Sequence, residues 1–351
     1  MKAQILSVMV GIMMVSAISC NNKSVEDIDV IDLKEYFEYL DFPVDSILRA
    51  GTRFVSAGDF LIMEDLLSDY TMLFYNMDSK EVKRFARRGR GPSERLGLIS
   101  LDVTNGKDII AHDLSGRYTV YDMESGYPVL YKEFPSNGEH WRRELPGNIA
   151  VVCPMEPYLD RSRYEVRCND SIISCFGEPG KRLSATQSNF ILPELETLDN
   201  DGTRIALFSV SGMYYKIFDL SDLSDPSLIV EKVYSMPEYI PSVKNDGSYS
   251  LSMNNIMGFS SPVSSIGRIY TPFSGRSITD MLRSGVTGDI GTKIFSVTWD
   301  GEREVFITLG GTQILSVAYN GERGVLYVLG VEEDGSYSVR YCSTSVIESV
   351  L

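Results

Sequence analysis

The chain has 351 residues, of which 43% are hydrophobic, and it carries 33 basic against 48 acidic side chains, for a net charge of −15. A chain of this length can bury a large core. Its negative field repels nucleic acid phosphates, which excludes nucleic acid as a partner of the folded body, and it also repels anionic lipid headgroups.

The first twenty residues have the pattern of an export signal. Lys2 precedes an apolar run over residues 5–15, too short to span a bilayer comfortably, and small residues follow before Cys20. This segment resembles a bacterial lipoprotein signal, in which the cysteine is acylated and becomes the new amino terminus. Ordinary secretory cleavage at the same small residues is the alternative, which would leave Cys20 as a plain thiol. We therefore predict a signal peptide over residues 1–19 and a lipid on Cys20.

Residues 20–45 are predicted to form an acidic tether and docking segment. Glu26, Asp27 and their acidic neighbours cannot pack a core, so this stretch should be solvated. Apolar residues between Val30 and Leu40 fit one face of a helix, but the start of this run also alternates as a strand does. In either form the apolar side favours docking onto the domain. No second apolar run of spanning length follows, so membrane attachment is expected through the N-terminal lipid only.

Residues 46–351 have the pattern of one all-β domain. Short apolar or alternating runs are separated by Gly, Asn and Asp turns, and segments with a helical period are few. The clearest strand candidates are residues 60–64, 108–112, 149–153, 204–208 and 314–319. Hairpin turns are predicted at Asp246-Gly247, Asp300-Gly301, Asn320-Gly321 and Asp334-Gly335. A four-stranded unit repeated about every 40 to 60 residues is typical of propeller blades, which become stable only when stacked around an axis.

Two blade-like stretches carry a family pattern. Residues 61–65, 72–78 and 82–85 have a strand, strand, Asp-turn, strand rhythm, and residues 109–113 and 118–122 repeat it. Residues 87–94 are similar to a Gly-x-Gly-Pro-Gly-Glu signature, with Ser93 in place of one glycine. Together they resemble the six-bladed β-propeller lipoproteins of the TolB-like or NHL-like type. The resemblance implies a six-bladed, lipid-anchored envelope protein, for which the family supplies no assigned activity.

Four cysteines follow the anchor, namely Cys153, Cys168, Cys175 and Cys342. An even number in an oxidising compartment permits two disulfides, and Cys168 and Cys175 are close enough to clip a hairpin. Buried free thiols are the alternative, because a core of this size does not need disulfides for its stability. The spacings match no zinc pattern, so no metal site is predicted.

One dense basic patch stands out on this acidic chain, formed by Lys83, Arg84, Arg87, Arg88, Arg90 and Arg95. It could hold an anionic sugar, a phosphate or an acidic segment of a partner. The alternative is a solvated strand face that ends in a turn. Arg87, Arg88 and Arg90 are the candidate binding residues of this patch. Gly89-x-Gly91 is a poor phosphate loop, because Pro92 removes an N–H and no helix follows.

The chain offers two imidazoles, His112 and His140. His112 ends an apolar strand, where a core histidine is more frequent than a catalytic base. His140 and Trp141 lie in a polar stretch and are candidates for a sugar-binding surface, since an aromatic ring can stack on a sugar. An exposed loop pair is the alternative. No Gly-x-Ser-x-Gly elbow occurs, and paired carboxylates carry no specificity in so acidic a chain.

These patterns predict a lipid-anchored envelope module, in the outer membrane, that binds or scaffolds without covalent catalysis and needs no cofactor. An envelope protein or a carbohydrate is the expected partner. One alternative is a glycan-binding protein beside a nutrient transporter. The other is a propeller hydrolase, for example lactonase-like, with a metal held by oxygen ligands at the channel mouth, which would bind a divalent cation tightly.

Overall fold

A computed structural model of the chain describes residues 24–42, 53–66, 68–91, 94–104, 108–123, 128–154, 163–178, 194–241, 248–284 and 291–351. The predictions for residues 1–19, Cys20 and the Asp246-Gly247 turn lie outside these residues.

The described chain begins with two short strands, each preceded by one turn of 3-10 helix. The turns are Val25–Asp27 and Lys34–Tyr36, and the strands are β1 (Val30–Asp32) and β2 (Glu38–Tyr39).

Four blades then follow in chain order, each an antiparallel sheet whose first strand lies nearest the axis. Blade 1 comprises β3 (Phe54–Ala57), β4 (Phe60–Glu64), β5 (Tyr70–Asn76) and β6 (Val82–Arg87). Blade 2 comprises β7 (Leu98–Thr104), β8 (Asp108–Asp113), β9 (Arg117–Asp122) and β10 (Val129–Pro135). Blade 3 comprises β11 (Glu139–Leu145), β12 (Ile149–Pro154), β13 (Tyr164–Cys168) and β14 (Ser171–Phe176). Blade 4 comprises β15 (Glu194–Leu198), β16 (Arg204–Ser209), β17 (Met213–Asp219) and β18 (Ser227–Ser235).

The last two blades complete the ring with help from the N-terminal strands. A separate hairpin, β19 (Tyr239–Pro241) with β20 (Tyr249–Leu251), precedes blade 5. Blade 5 comprises β21 (Val263–Ser264), β22 (Arg268–Phe273), β23 (Lys293–Thr298) and β24 (Glu304–Thr308), with helix α1 (Ile278–Ser284) between β22 and β23. Blade 6 comprises β25 (Gln313–Asn320), β26 (Val325–Val331) and β27 (Tyr337–Ser343), followed by helix α2 (Thr344–Val350). Strand β1 adds to β24 in parallel, and β2 adds to β27 as the outer strand of blade 6.

The all-β prediction is confirmed, and the sheets form a six-bladed propeller. All five of the strand candidates lie within strands, as β4, β8, β12, β16 and β25. The Asp300-Gly301, Asn320-Gly321 and Asp334-Gly335 dipeptides each join two consecutive strands. Gly301 and Gly335 have φ values of +71° and +83°, which glycine adopts without steric cost.

Residues 24–42, which we call the N-terminal strap, fall within the predicted tether and docking segment and pack against the propeller. The strap places a buried apolar side chain in each of three successive seams between blades. Ile28 lies between blades 4 and 5, Leu33 and Phe37 lie between blades 5 and 6, and Phe42 lies between blades 6 and 1. The open choice between helix and strand is resolved as strand, 3-10 turn, strand. Apolar burial in these seams outweighs the acidic composition that suggested a tether.

Acidic side chains of the strap have structural partners. Asp32 Oδ1 accepts hydrogen bonds from the backbone N–H groups of Lys34, at 3.0 Å, and Gly310, at 3.1 Å. Asp27 Oδ2 accepts from the backbone N–H of Ser24 at 2.7 Å. These carboxylates fix the two turns of the strap, so their charge does not imply a mobile chain.

The two faces of the propeller can be told apart by strand direction. The innermost strands end at one face, which we call the mouth face, and the turns after the first and third strands of each blade lie there too. Arg323, in the first turn of blade 6, pairs at this face with Asp59 at 2.6 Å and with Asp78 at 2.8 Å, in the first and third turns of blade 1. The outer strands therefore begin at the mouth face and end at the opposite face.

Cys168 and Cys175 do not form a disulfide across the β13–β14 hairpin. In the β13–β14 register Cys168 is opposite Ser171, and Cys175 is opposite Glu165, so the two thiols are offset along the hairpin. Cys153 and Cys342 are buried free thiols, and burial raises the pKa of both, to about 12 for Cys153 and about 11 for Cys342.

Candidate functional site

The mouth face contains a cavity on the propeller axis, which we call the axial cavity. Its volume is about 650 Å³, within the range of about 300–1,000 Å³ that is usual for small-ligand sites. All six blades line it, each through the end of its innermost strand or the turn that follows. One lining residue from each blade, in order, is Ser56, Asp102, Arg143, Asp199, Ser264 and Glu322. The site therefore exists only when the ring is closed.

One ion pair crosses the seam between blades 2 and 3 within this cavity. Arg143 Nη2 lies 2.9 Å from Asp102 Oδ2, and Arg143 Nη1 donates a hydrogen bond to the carbonyl of Val103. A neighbouring lining residue, Glu144, is held by Arg142 Nε at 2.8 Å. The charges of Asp102 and Glu144 are thus compensated by arginines.

The first turn of blade 4 supplies two further carboxylates, Asp199 and Asp201. Asp199 Oδ1 accepts from the backbone N–H of Arg204 at 3.0 Å, and Asp201 Oδ1 accepts from Thr203 Oγ1 at 2.6 Å. Burial raises the pKa of Asp199, and the nearby charge of Asp201 adds to this effect. Hydrogen bonds from the side chain and backbone of Thr203 lower the pKa of Asp201. The turn therefore holds two carboxylates at the cavity wall, and Arg204 Nε lies 3.9 Å from Asp199 Oδ2.

A close approach fixes this turn against blade 3. A Cβ atom on Gly202, at φ +72°, would lie 2.6 Å from Leu145 Cδ2. Glycine is needed at this position both for its left-handed backbone and for the contact. The position of Asp201 in the cavity thus depends on packing between two blades.

The basic patch runs along β6 to the opposite face, where Arg87, Arg88, Arg90 and Arg95 lie, and most of it is used inside the fold. Arg88 donates to the carbonyls of Asp65, at 2.7 Å, and Leu96, at 3.2 Å, and Arg95 is buried with Nη2 at 2.6 Å from Glu133. Arg84 pairs with Asp65 and Lys83 pairs with Glu81. Arg87 and Arg90 are exposed, and neither makes an ion pair with any residue that the structure describes. The patch therefore joins blades 1 and 2 more than it offers a site.

The glycines of the signature make room for one carboxylate. Glu94 Oε2 accepts from the backbone N–H of Gly91 at 2.8 Å, and a Cβ on Gly89 would lie 2.0 Å from the same oxygen. Pro92 and Ser93 lie outside the described residues. Among the described residues, Glu94 therefore occupies the space beside these two glycines that a phosphate would need.

Trp141 is not at the surface. It lies in β11 and is 6% exposed, packed among apolar side chains of blades 3 and 4. Both the predicted sugar-stacking role and the exposed-loop alternative required an accessible ring. The alternating burial of the innermost strand of blade 3 places the indole in the core instead.

The two histidines meet in a buried polar seam between blades 2 and 3. His112 Nδ1 lies 3.1 Å from the carbonyl of His140, and its ring stacks on Tyr118 at 4.3 Å. Burial lowers the pKa of both imidazoles, to about 4 for His140, where the charges of His112 and Arg163 add to the effect. Both histidines are therefore neutral at neutral pH.

The neighbouring seam, between blades 3 and 4, contains a buried acid. Tyr164 donates its hydroxyl to Glu196 Oε1 at 2.9 Å, and burial raises the pKa of Glu196 to about 7 against the opposing charge of Arg163. Arg163 itself lies 3.7 Å from Glu194 Oε2. Sequence reasoning missed Glu196 and Arg163, because nothing in the local pattern distinguishes a strand glutamate that faces a seam from one that faces solvent.

Within the described ranges, no group of three or more His, Cys, Asp or Glu side chains is arranged to hold a metal ion. In the same residues, no helix is long and apolar enough to cross a membrane.

Comparison with known proteins shows the fold. No family model matches the chain, and no curated protein matches it in sequence. Two solved structures are similar in shape. One is a "Putative exported protein" from Bacteroides fragilis NCTC 9343, with a TM-score of 0.57 and 12% identity over 89% of this chain and 96% of the other. The second is a member of the DUF4221 family from Bacteroides vulgatus ATCC 8482, with a TM-score of 0.52 and 10% identity over 87% and 97%.

At these identities the likeness establishes a shared six-bladed propeller and nothing of the chemistry. The lipid on Cys20 and the TolB-like resemblance stay predictions.

Proposed function

We propose that the protein is an exported, lipid-anchored binding module without covalent catalysis, held in the outer membrane, whose ligand enters the axial cavity. The observation that carries this proposal is the cavity itself, about 650 Å³ in volume and lined by all six blades. A rigid ring that converges six sets of loops on one cavity is preorganised for binding, because little loop entropy is lost when a ligand arrives.

The charge of the lining favours a ligand with a cationic group. Three lining carboxylates, Asp102, Glu144 and Asp199, are paired with arginines. Asp201 and Glu322 add negative charge to the wall. The net charge of −15 supports the same sign over longer range. An amino sugar, a small amine or a basic segment of an envelope protein fits this description, and the last of these would make the module a scaffold.

Calorimetric titration with glucosamine and with N-acetylglucosamine tests the proposal, since acetylation keeps the sugar ring and removes the ammonium charge. We expect glucosamine to bind more tightly to the parent protein. The D199N/D201N variant should lose this preference. The matched control is D222N/D225N, which removes two exposed carboxylates from the outer turn of the same blade.

Putrescine and lysine methyl ester extend the titration to amines without a sugar ring. Absence of binding heat with all three cationic probes would reject a cationic ligand. Equal loss of affinity in D199N/D201N and in the control would remove the axial cavity from the proposal.

A further inference from the structure

The N-terminal strap shows where the anchored end of the chain leaves the propeller. Strand β1 runs parallel to β24, with Val30 opposite Phe306, and the backbone N–H of Phe306 donates to the carbonyl of Asp29 at 2.8 Å. Because β24 begins at the mouth face, the residues before β1 lie beside the turn that joins β23 to β24. Asp27 and Glu302 line one small cavity there. The strap therefore enters at the mouth face, near the seam between blades 4 and 5.

Cys20 is four residues before Ser24, the first described residue. Four residues span at most about 14 Å even when fully extended. A lipid on Cys20 would thus hold the mouth-face edge of the propeller within about 14 Å of the anchored cysteine, a distance of about two headgroup layers.

The same edge of the neighbouring blades is apolar. The outer strands β10, β14 and β18 of blades 2, 3 and 4 all begin at the mouth face, and each begins with exposed apolar side chains. This apolar rim comprises Val129, Leu130, Tyr131, Ile172, Ile173, Leu228 and Ile229, each between 42% and 72% exposed. Three adjacent blades therefore expose apolar side chains at the same height, at the edge where the strap enters.

The rest of the edge is less apolar. Strands β1 and β2 cover the last strands of blades 5 and 6, with Val30 at the start of β1 54% exposed, and the outer strand of blade 1 begins with Val82, Lys83 and Arg84. Exposed apolar patches on three adjacent blades are unusual on a protein that meets only water. Their position beside the anchored end of the chain identifies what covers them.

We propose that the apolar rim of blades 2, 3 and 4 lies in the headgroup region of the bilayer that holds the Cys20 lipid, so that the axial cavity opens at the membrane surface. The inference rests on the lipid anchor of the proposed function. Apolar side chains gain free energy in this region, and tyrosine favours it because its ring is apolar and its hydroxyl is polar. Acidic neighbours of the rim, such as Asp170 and Asp225, make neutral lipids the better surface.

The test uses the full-length lipoprotein, purified from membranes and reconstituted in phosphatidylcholine vesicles. In a C168S/C175S background, an environment-sensitive fluorophore is attached at Tyr131→Cys or Leu228→Cys on the rim, and at Arg90→Cys on the opposite face as the matched control. All three positions are half-exposed or exposed, so the substitutions spare the core. Quenching is measured with a headgroup-level nitroxide lipid and with aqueous iodide.

We expect the nitroxide lipid to quench the two rim labels several-fold more than the Arg90 label, and iodide to show the reverse order. Adding anionic lipid should reduce the difference. Equal quenching at all three positions, with the protein still on the vesicles, would overturn the inference and leave the anchor intact. Rim labels shielded from iodide but not quenched by the nitroxide lipid would also overturn it, because protein would then cover the rim.

A separate measurement examines the anchor. Parent and Cys20→Ala cells are fractionated, and the parent should be in the membrane fraction while the variant is released. Identical fractionation would reject the lipid anchor of the proposed function, and the membrane inference would fall with it for that distinct reason.

Discussion

In blades 5 and 6 the strap covers the last strand of the blade, β24 or β27, whereas the last strands of blades 2, 3 and 4 are open. On the covered side, the strap adds a strand to each sheet and buries Leu33 and Phe37 between the blades. On the open side, β14 has no charged residue along its length. An unpaired edge strand is a hazard unless something protects it. The contrast shows that this protein protects its edges by two means, its own chain on one side and, in our proposal, a membrane on the other.

The seams between blades differ in the same way. Between blades 4 and 5, Phe259 contacts the rings of Phe208, Phe273 and Phe295, with centroids 5.2 Å apart in each pair. Between blades 2 and 3, buried polar atoms such as His112 Nε2 and Glu139 Oε2 have no hydrogen-bond partner within the described part of the chain. A buried polar atom without a hydrogen-bond partner destabilises the folded state, whereas packed aromatic rings stabilise it. We therefore expect the polar seam between blades 2 and 3 to be less stable than the aromatic seam between blades 4 and 5.

The largest expected effect compares one substitution on the two sides. Leu33 is fully buried under the strap, and Leu228 is 46% exposed on the open edge. Leu33→Ala should lower the free energy of unfolding by about 2–5 kcal/mol, because it leaves a cavity between blades 5 and 6. Leu228→Ala should change it by less than about 0.5 kcal/mol in solution. Urea unfolding without vesicles measures both losses of stability. A loss for Leu33→Ala as small as that for Leu228→Ala would show that the strap is not a structural part of the ring.

A second prediction concerns the polar seams and pH. The pKa of Glu196 is raised to about 7 in the fold, so the folded protein keeps a proton that the unfolded chain loses. Stability should therefore fall as pH rises from about 4.5 to 7. The pKa of His140 is lowered to about 4, so the unfolded chain binds a proton that the fold excludes, and stability should rise from pH 4 to about 6.5. The contributions of Glu196 and His140 to the pH dependence of stability therefore have opposite signs.

Single variants should separate them. Relative to the parent protein, Glu196→Gln should gain stability as pH rises through this window, and His140→Gln should lose it, each by up to about 1.4 kcal/mol per pH unit. Urea unfolding at pH 5, 6 and 7 measures the differences, and the double variant should return close to the slope of the parent. Differences that stay constant with pH would mean that neither side chain titrates as its buried position implies.

The smallest effect compares two tyrosines on outer strands. The Tyr39 ring in β2 lies 4.2 Å from the guanidinium of Arg340, which is buried and bonded to Glu332 at 2.8 Å, whereas Tyr131 projects from β10 and is 72% exposed. Tyr39→Ala should cost about 1 kcal/mol through the lost cation–π contact and hydrogen bond. Tyr131→Ala should be close to neutral in the same assay. A larger loss at Tyr131 would contradict the division into a covered and an open side.

Local patterns in the sequence determined the strands, their turns and the blade rhythm. Short apolar runs in segments such as 108–112, and dipeptides such as Asp300-Gly301, act through the backbone preferences of neighbouring residues, so they can be interpreted without the fold. Only the tertiary structure decided which apolar and charged side chains would be covered. The axial cavity, the burial of Trp141 and the use of Arg95 inside a seam depend on residues far apart in the chain.

The strap shows the physical reason most clearly. Its acidic residues favour solvent when considered alone, and its few apolar side chains gain burial only after later blades, far along the chain, have formed beside it. Asn320 Nδ2 likewise donates to Ser56 Oγ at 2.9 Å across the seam that closes the ring, although 264 residues separate them. Composition reports the average polarity of a segment. The burial of each side chain depends instead on the residues of other blades that lie against it in the completed ring.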